Sequence, residues 1–544
     1  MVKSRRQMAV GSRQKTAGAL WPALRCALFI RYYLSTAYRL LPFAFRQPFT
    51  VYCLLPTAYC LLFFPHSIYA STPPLTCRIA EIAPHSRSLS VMCTLVDVPL
   101  GKLQLRFADQ FAGVKGLSER IFALKVKEAG GAAWPLEIRG DGWYSLSVKA
   151  PVPRLNISYD LHLARALDPS QYALVSSLGS EAGFLMLSDL LPQVCAEAES
   201  GCSAQANPLR LQIIAPDGWQ IATTEQSHEN FFEIADPQRA VFFLGRLREQ
   251  ELPVNGMKLR VAMAGDSSVA SDRVARLVEA IAREQAAMIG GKEQGDFLVT
   301  LAPFPLPMTG LRSSALTRGH TVVLMFNPGD DPARAFAHYQ RHLAHEMFHF
   351  YLPNAFRIRE NFDWFWEGFT RYTAFTTLLR LRLITLRDYL DALGEEYEAY
   401  SFNPLRARLS LIAASPDKFA NPASYELVYR KGMLIAALYD LELRWQSGGR
   451  QSLMDVMRAL YQTYALSGRE VGNREVLAEL AKSGDFARFI RDDIEGTREI
   501  DLAAAIKHYG LVVDRDLNNR SRPRISVTPK PSAKQRELIS HLEK

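Results

Sequence analysis

Acidic residues are missing from the first 70 positions, which hold nine lysines and arginines and neither aspartate nor glutamate. The rest of the chain carries 55 basic against 55 acidic side chains, so the net charge of +9 belongs to that leader. A body with no excess of positive charge gives no electrostatic reason to bind nucleic acid, and none is expected as a partner. Cysteine is scarce, seven in 544 residues, and three of the seven (Cys26, Cys53, Cys60) fall in the leader. The four that remain have no C-x-x-C spacing, which argues against a zinc knuckle. The apolar run from Phe49 to Phe64 is short for a membrane span and suits the hydrophobic region of a signal peptide.

The leader reads as an export signal. Arg46 is its last charge, Pro65 breaks the apolar run, and Ile68-Tyr69-Ala70 ends in a small residue where signal peptidase would cut. The expectation is a periplasmic or secreted protein beginning near Ser71, with an uncleaved membrane anchor as the alternative. Bulky Tyr52 and Tyr59 before Cys53 and Cys60 exclude a lipobox. The near-repeats Leu40-Leu41-Pro42 and Leu54-Leu55-Pro56 suggest a start site set too far upstream. In an oxidising compartment Cys77, Cys93, Cys195 and Cys202 could pair. Of three pairings the local ones, Cys77–Cys93 and Cys195–Cys202, are favoured; four buried thiols are the alternative.

Beyond the leader (1–70) the pattern changes three times. Residues 71–265 alternate like strands and are rich in turns, as in Ser88–Val98, Lys102–Phe107 and Trp143–Val148, which predicts an antiparallel β-sandwich. Residues 266–385 mix helical spacing with short apolar strands such as Thr321–Phe326. Residues 386–514 are helical. Residues 515–544 hold eight basic and three acidic side chains with three prolines, and read as a flexible tail. The predicted class is a multidomain α+β protein.

The second of these regions carries the chemistry. His345-Glu346-Met347-Phe348-His349 is an H-E-x-x-H motif, and on a helix its two histidines leave the same face one turn apart, able to bind one zinc ion. Glu346 beside them is placed to take a proton from water. A hydrolytic zinc needs only three protein ligands, and Glu367, eighteen residues beyond His349, is the natural third. His338 and His342 are expected to be ordinary packed or surface histidines. Trp364, Phe365 and Trp366 are expected in the core.

H-E-x-x-H followed by Glu367-Gly368-Phe369-Thr370 resembles the gluzincin metallopeptidases, and among them the glycyl aminopeptidase family. Pro216-Asp217-Gly218-Trp219, Tyr429-Arg430-Lys431-Gly432 and Ser452-Leu453-Met454-Asp455 are also similar to segments of that family. The resemblance implies a thermolysin-like catalytic domain followed by a helical domain, one zinc per chain and a peptide or protein substrate. It further implies zinc on His345, His349 and Glu367, Glu346 as base, and Tyr429 donating to the carbonyl oxygen under attack. A catalytically silent peptide-binding protein of the same fold is the alternative.

Two departures from the family are visible. The PDZ domain that often follows is not expected, and the family's Gly-Gly-Leu-Glu-His-like segment reads here Thr309-Gly310-Leu311-Arg312-Ser313. Residues 297–329 contain no acid at all. Gly310 and Arg312 are therefore candidate substrate-binding residues without the usual carboxylate for a free amine. With Arg318 and His320 nearby, and only Glu360 as a distant acid, cleavage of amine-blocked peptides and a preference for acidic ones are expected.

Overall fold

Alternation at a period of two builds the first half of the computed structural model, which describes residues 75–543 except 129, 165–166, 197–208, 255, 266–270, 292–294, 328 and 515–522. The leader and Cys202 lie outside the described residues. A seven-stranded sheet runs Gln226–His228, Phe231–Ile234, Leu209–Ile213, Leu75–Ala83, Ser88–Val98, Val152–His162, Ile121–Glu128. Its pairings are antiparallel except Leu75–Ala83 with Leu209–Ile213. Alternate residues such as Val91, Leu95 and Ile157 point inward. There they meet Leu103, Leu105 and Leu146 of a four-stranded sheet, Gln193–Ala196, Gly101–Arg106, Trp143–Val148 and Glu137–Gly140. Cys77 and Cys93, directly opposite each other on neighbouring strands, form a buried disulfide. Cys195 is also disulfide-bonded.

A second four-stranded sheet, Ser177–Leu178, Ala182–Met186, Val241–Gly245 and Gln220–Ala222, is buried on both faces. Leu185, Phe242 and Leu244 enter the core just described, while Phe184, Met186 and Phe243 face the opposite way. That other face packs on Ala262, Leu298 and Val323 of the next sheet. The continuous apolar text of Val241–Leu244 is the sequence trace of this double burial.

The next sheet has five strands in the order Leu247–Val254, Met257–Ala264, Asp296–Ala302, Thr321–Asn327, Arg312–Arg318. Helix Ser271–Ile289 connects two parallel members, and Arg312–Arg318 forms an antiparallel edge. The β-rich region therefore hands over near Gly245, not at residue 265. Strand periodicity identifies Leu247–Ala264 as strands but carries no information about which sheet they join.

Helix Pro332–Phe348 lies against the edge strand, and helices Gly368–Arg380, Leu386–Ser401 and Pro422–Ser447 share a core with Leu259, Val299 and Leu324 on the sheet's other face. Gly368 and Gly432 bring two of these helices to backbone contact: a Cβ on Gly368 would lie 2.5 Å from the Gly432 Cα. The chain's end corrects the expected flexible tail. Arg524–Val527 pairs with Leu511–Asp514, and helix Ala533–Leu542 buries Leu538, Ile539 and Leu542. Arg444 Nη1 donates to the His541 carbonyl at 2.8 Å. The basic, proline-bearing composition hides a short apolar stripe of helical spacing. Among the described residues no helix is long and apolar enough to cross a membrane.

Candidate metal centre and its cavity

Capping fixes the helix that carries the motif. Asp331 Oδ1 accepts from the Ala333 and Arg334 amides at 3.1 and 3.0 Å, and Pro332 fills the first position. One turn then separates His345 from His349 at the helix end. His349 Nδ1 lies 2.8 Å from the Leu352 carbonyl; donating its proton there leaves Nε2 its lone pair. That Nε2 stands 3.1 Å from His345 Nε2.

Glu367 joins the short helical turn Asp363–Trp366 to the helix Gly368–Arg380. Its Oε2 is 3.3 Å from His345 Nε2 and 3.5 Å from His349 Nε2. The three atoms make a nearly equilateral triangle. Bonds of about 2.0–2.1 Å to a tetrahedral zinc place neighbouring donors about 3.3–3.4 Å apart, which fits. Glu367 Oε2 is also buried without a hydrogen-bond partner. Glu346 lies close as well, since it has a ligand atom within 4.8 Å of both histidines'. Its Oε2, however, takes a hydrogen bond from Thr317 Oγ1 at 2.8 Å. Glu367 Oε2 is therefore the unpartnered oxygen that could serve as a third ligand, with Glu346 beside it.

Lys418 sets the charge of this cluster. Its Nζ donates to Glu367 Oε1 at 2.9 Å and pairs with Asp363 Oδ2 at 2.7 Å, all three side chains being buried. Burial opposes charge on Glu367, but the Lys418 ammonium and the two imidazoles hold its carboxyl well below the ordinary range. Burial also lowers Lys418, and Glu367 and Asp363 outweigh it and raise the ammonium. Burial keeps His345 down. It pushes on His349 too, yet the Glu367 carboxylate 3.5 Å away and the Glu346 charge lift that imidazole to about 8. A cluster that attracts a proton in this way attracts a divalent cation by the same Coulomb force.

The centre opens into a cavity of about 690 Å³. Edge-strand residues Ala315, Leu316 and Thr317 form one wall; Trp366, Phe419, Tyr425 and Tyr429 form another, and Phe111 and Gly113 reach it from the N-terminal region. The Tyr429 ring is 6.3 Å from the His345 ring and 4.5 Å from that of Tyr425. Burial, then the Glu367 charge, raises the Tyr429 phenol well above its ordinary value, so it stays protonated and able to donate.

The sequence-based candidates divide at this cavity. His345, Glu346, His349, Glu367 and Tyr429 come together. Gly310 and Arg312 do not line the cavity. The Gly310 carbonyl accepts from Asn327 Nδ2 at 2.6 Å, and exposed Arg312 bonds the neighbouring Leu311 carbonyl. Arg312 begins the edge strand, three residues before the stretch that forms the wall, and Gly310 precedes the strand. Arg318 turns away to the Gln238 carbonyl and lies over the Phe111 ring, and His320 stacks on Phe297. Glu360 accepts from the Asn473 amide outside the cavity. The basis for expecting acidic substrates is thus removed. His338 and His342 pack around Ser313, and burial lowers His342 to about 3. Trp364 and Phe365 are core, whereas Trp366 lines the cavity. Sequence reasoning missed Lys418, Asp363 and Thr317; only Asp363, one helical turn before Glu367, had a spacing that could have revealed it.

Residues 339–435, which include all five converging side chains, match the family model for M61 glycyl aminopeptidase. No curated protein matches the chain. Among solved structures, an aminopeptidase N family protein from Idiomarina loihiensis is similar with a TM-score of 0.68 at 18% identity, over 81% of this chain and 79% of that one. An M1 zinc metallopeptidase from Deinococcus radiodurans is similar with a TM-score of 0.50 at 14% identity, over 79% of this chain and 95% of that one. At such identities the likeness shows a shared fold. The chain resembles the glycyl aminopeptidases among zinc metallopeptidases.

Proposed function

We propose that this protein is an exported zinc metallopeptidase that hydrolyses peptide bonds, with a β-sandwich N-terminal domain and a thermolysin-like catalytic domain. The observation that carries the reading is the triangle of His345 Nε2, His349 Nε2 and Glu367 Oε2. Glu346 and Tyr429 stand beside it in a cavity able to admit a peptide. A single zinc held by these three residues would supply Lewis acidity towards the scissile carbonyl and the attacking water.

The side chains do the rest. Glu346, held by Thr317, takes a proton from the attacking water as its oxygen bonds to the carbonyl carbon. The same carboxyl returns that proton to the leaving nitrogen as the C–N bond breaks. The Tyr429 phenol donates to the carbonyl oxygen as negative charge develops there. Lys418 keeps one oxygen of Glu367 occupied, leaving the other for the metal. The buried Cys77–Cys93 disulfide is consistent with export to an oxidising compartment.

The test is metal analysis with peptide hydrolysis on the purified protein. One zinc per chain and cleavage that disappears in Glu346→Gln, with zinc retained, is the expected result. Zinc retained in His345→Ala would remove the assigned site. Peptide binding without turnover by the native protein would establish the catalytically silent alternative.

A further inference from the structure

Among the described residues lining the cavity, four bear carboxylates: Glu346, Asp363, Glu367 and Glu426. Three are committed. Glu367 faces the histidines and Lys418, Asp363 pairs with Lys418, and Glu346 is held by Thr317. The lysine of the lining is equally committed, locked between two carboxylates at 2.7 and 2.9 Å. The edge-strand wall, Ala315, Leu316 and Thr317, bears no charged side chain.

Glu426 is different. It lies three residues before Tyr429 on helix Pro422–Ser447, hence on the same face, and helical side chains lean toward the N-terminus, which brings the Tyr429 ring over the Glu426 turn. Its side chain is 46% exposed. One partner, Arg430 Nε, occupies Oε2 at 2.7 Å. That guanidinium is itself shared, its Nη1 lying 2.9 Å from both oxygens of buried Glu396. Glu426 Oε1 therefore offers an accessible acceptor, one helical turn from the residue that meets the scissile carbonyl.

We propose that Glu426 binds a cationic nitrogen of the substrate, so that the site selects peptides with positive charge close to the cleaved bond. This rests on the peptidase reading above. Two sources carry that chemistry, the free α-ammonium and a lysine side chain, and the choice reverses the acidic preference expected from sequence. A charge-assisted contact at a half-exposed carboxylate is enough for about a tenfold preference.

The experiment compares kcat/KM for four matched peptides on the native protein and on Glu426→Gln and Glu426→Ser: free amine, N-acetylated, N-acetylated with lysine beside the cleaved bond, and N-acetylated with glutamate there. Equal zinc content and melting temperature establish that each variant is folded. The expected result is a native preference of about tenfold for one cationic peptide over its neutral partner, collapsing to within about twofold in both variants. Whichever peptide loses its advantage identifies the source. For the native protein alone, the preference should also weaken as salt rises from 0.05 to 0.5 M, to roughly the extent expected for a partly exposed pair. An unchanged preference in both folded variants, or a native preference for glutamate, overturns the assignment. Failure of the zinc-loaded native protein to cut any peptide instead overturns the peptidase reading, and this assignment with it.

Discussion

Lys418 Nζ lies 2.9 Å from Glu367 Oε1, while Glu367 Oε2 faces the two histidines, so a single carboxylate divides its oxygens between a buried ammonium and the candidate metal position. The lysine orients Glu367 and offsets the charge of two buried carboxylates. Lys418→Met should therefore weaken zinc binding by about 10–100-fold, the usual effect of losing an outer partner. Chelator competition measures it directly. Unchanged affinity would mean that Glu367 is held by its helix alone.

Tyr429→Phe removes one donor and keeps the ring packed against Tyr425. Turnover should fall by about 10²–10³ with a smaller change in KM. Steady-state kinetics on one good peptide checks this, and near-normal turnover would count against the assignment.

Gly432 and Gly368 hold the Tyr429 helix against the Glu367 helix. A Cβ on Gly432 would lie 2.8 Å from the Gly368 Cα and 2.9 Å from the Trp364 carbonyl, both rigid backbone. Gly432→Ala should destabilise the fold by about 1–3 kcal/mol and lower turnover, because the helices that carry Glu367 and Tyr429 must separate. Denaturant unfolding and kinetics on the same preparation test the two effects together.

Lys431 is fully buried and its Nζ has no hydrogen-bond partner. Burial pushes its ammonium down to about 8 from an ordinary 10.5, against the pull of Asp493. Between those values the unfolded chain holds a proton that the folded protein has lost. Stability therefore rises with pH across that window, and the full cost of protonation is present below pH 8. Lys431→Met should stabilise the protein by roughly 1–3 kcal/mol at pH 7, with the gain shrinking towards pH 10. Unfolding curves at the two pH values distinguish this from an equal gain due to shape.

What the sequence revealed and what it hid follow from range. His345, Glu346 and His349 stand within one helical turn, and Glu367 opens the next helix of the chain, so local spacing was enough to expect their meeting. Lys418 stands 51 residues from Glu367, and a buried lysine has no spacing that distinguishes it from a surface one. Arg312 was misplaced for a related reason: the motif text locates the edge strand but not which of its residues reach the cavity. Leu247–Ala264 read clearly as strands, yet the partner sheet was decided by Phe297–Leu301, which pairs with Leu259–Met263 across more than thirty residues.

The sheet whose Phe184 and Phe242 point into different cores has a consequence for how the protein can be divided. Because Val241–Gly245 serves as wall to both neighbours, cutting the chain just before Leu247 would strip the catalytic sheet of the surface that covers Ala262, Leu298 and Val323. The isolated C-terminal piece would present that face to water and self-associate. The strands before Leu247 are thus a structural wall of the half that holds the metal centre.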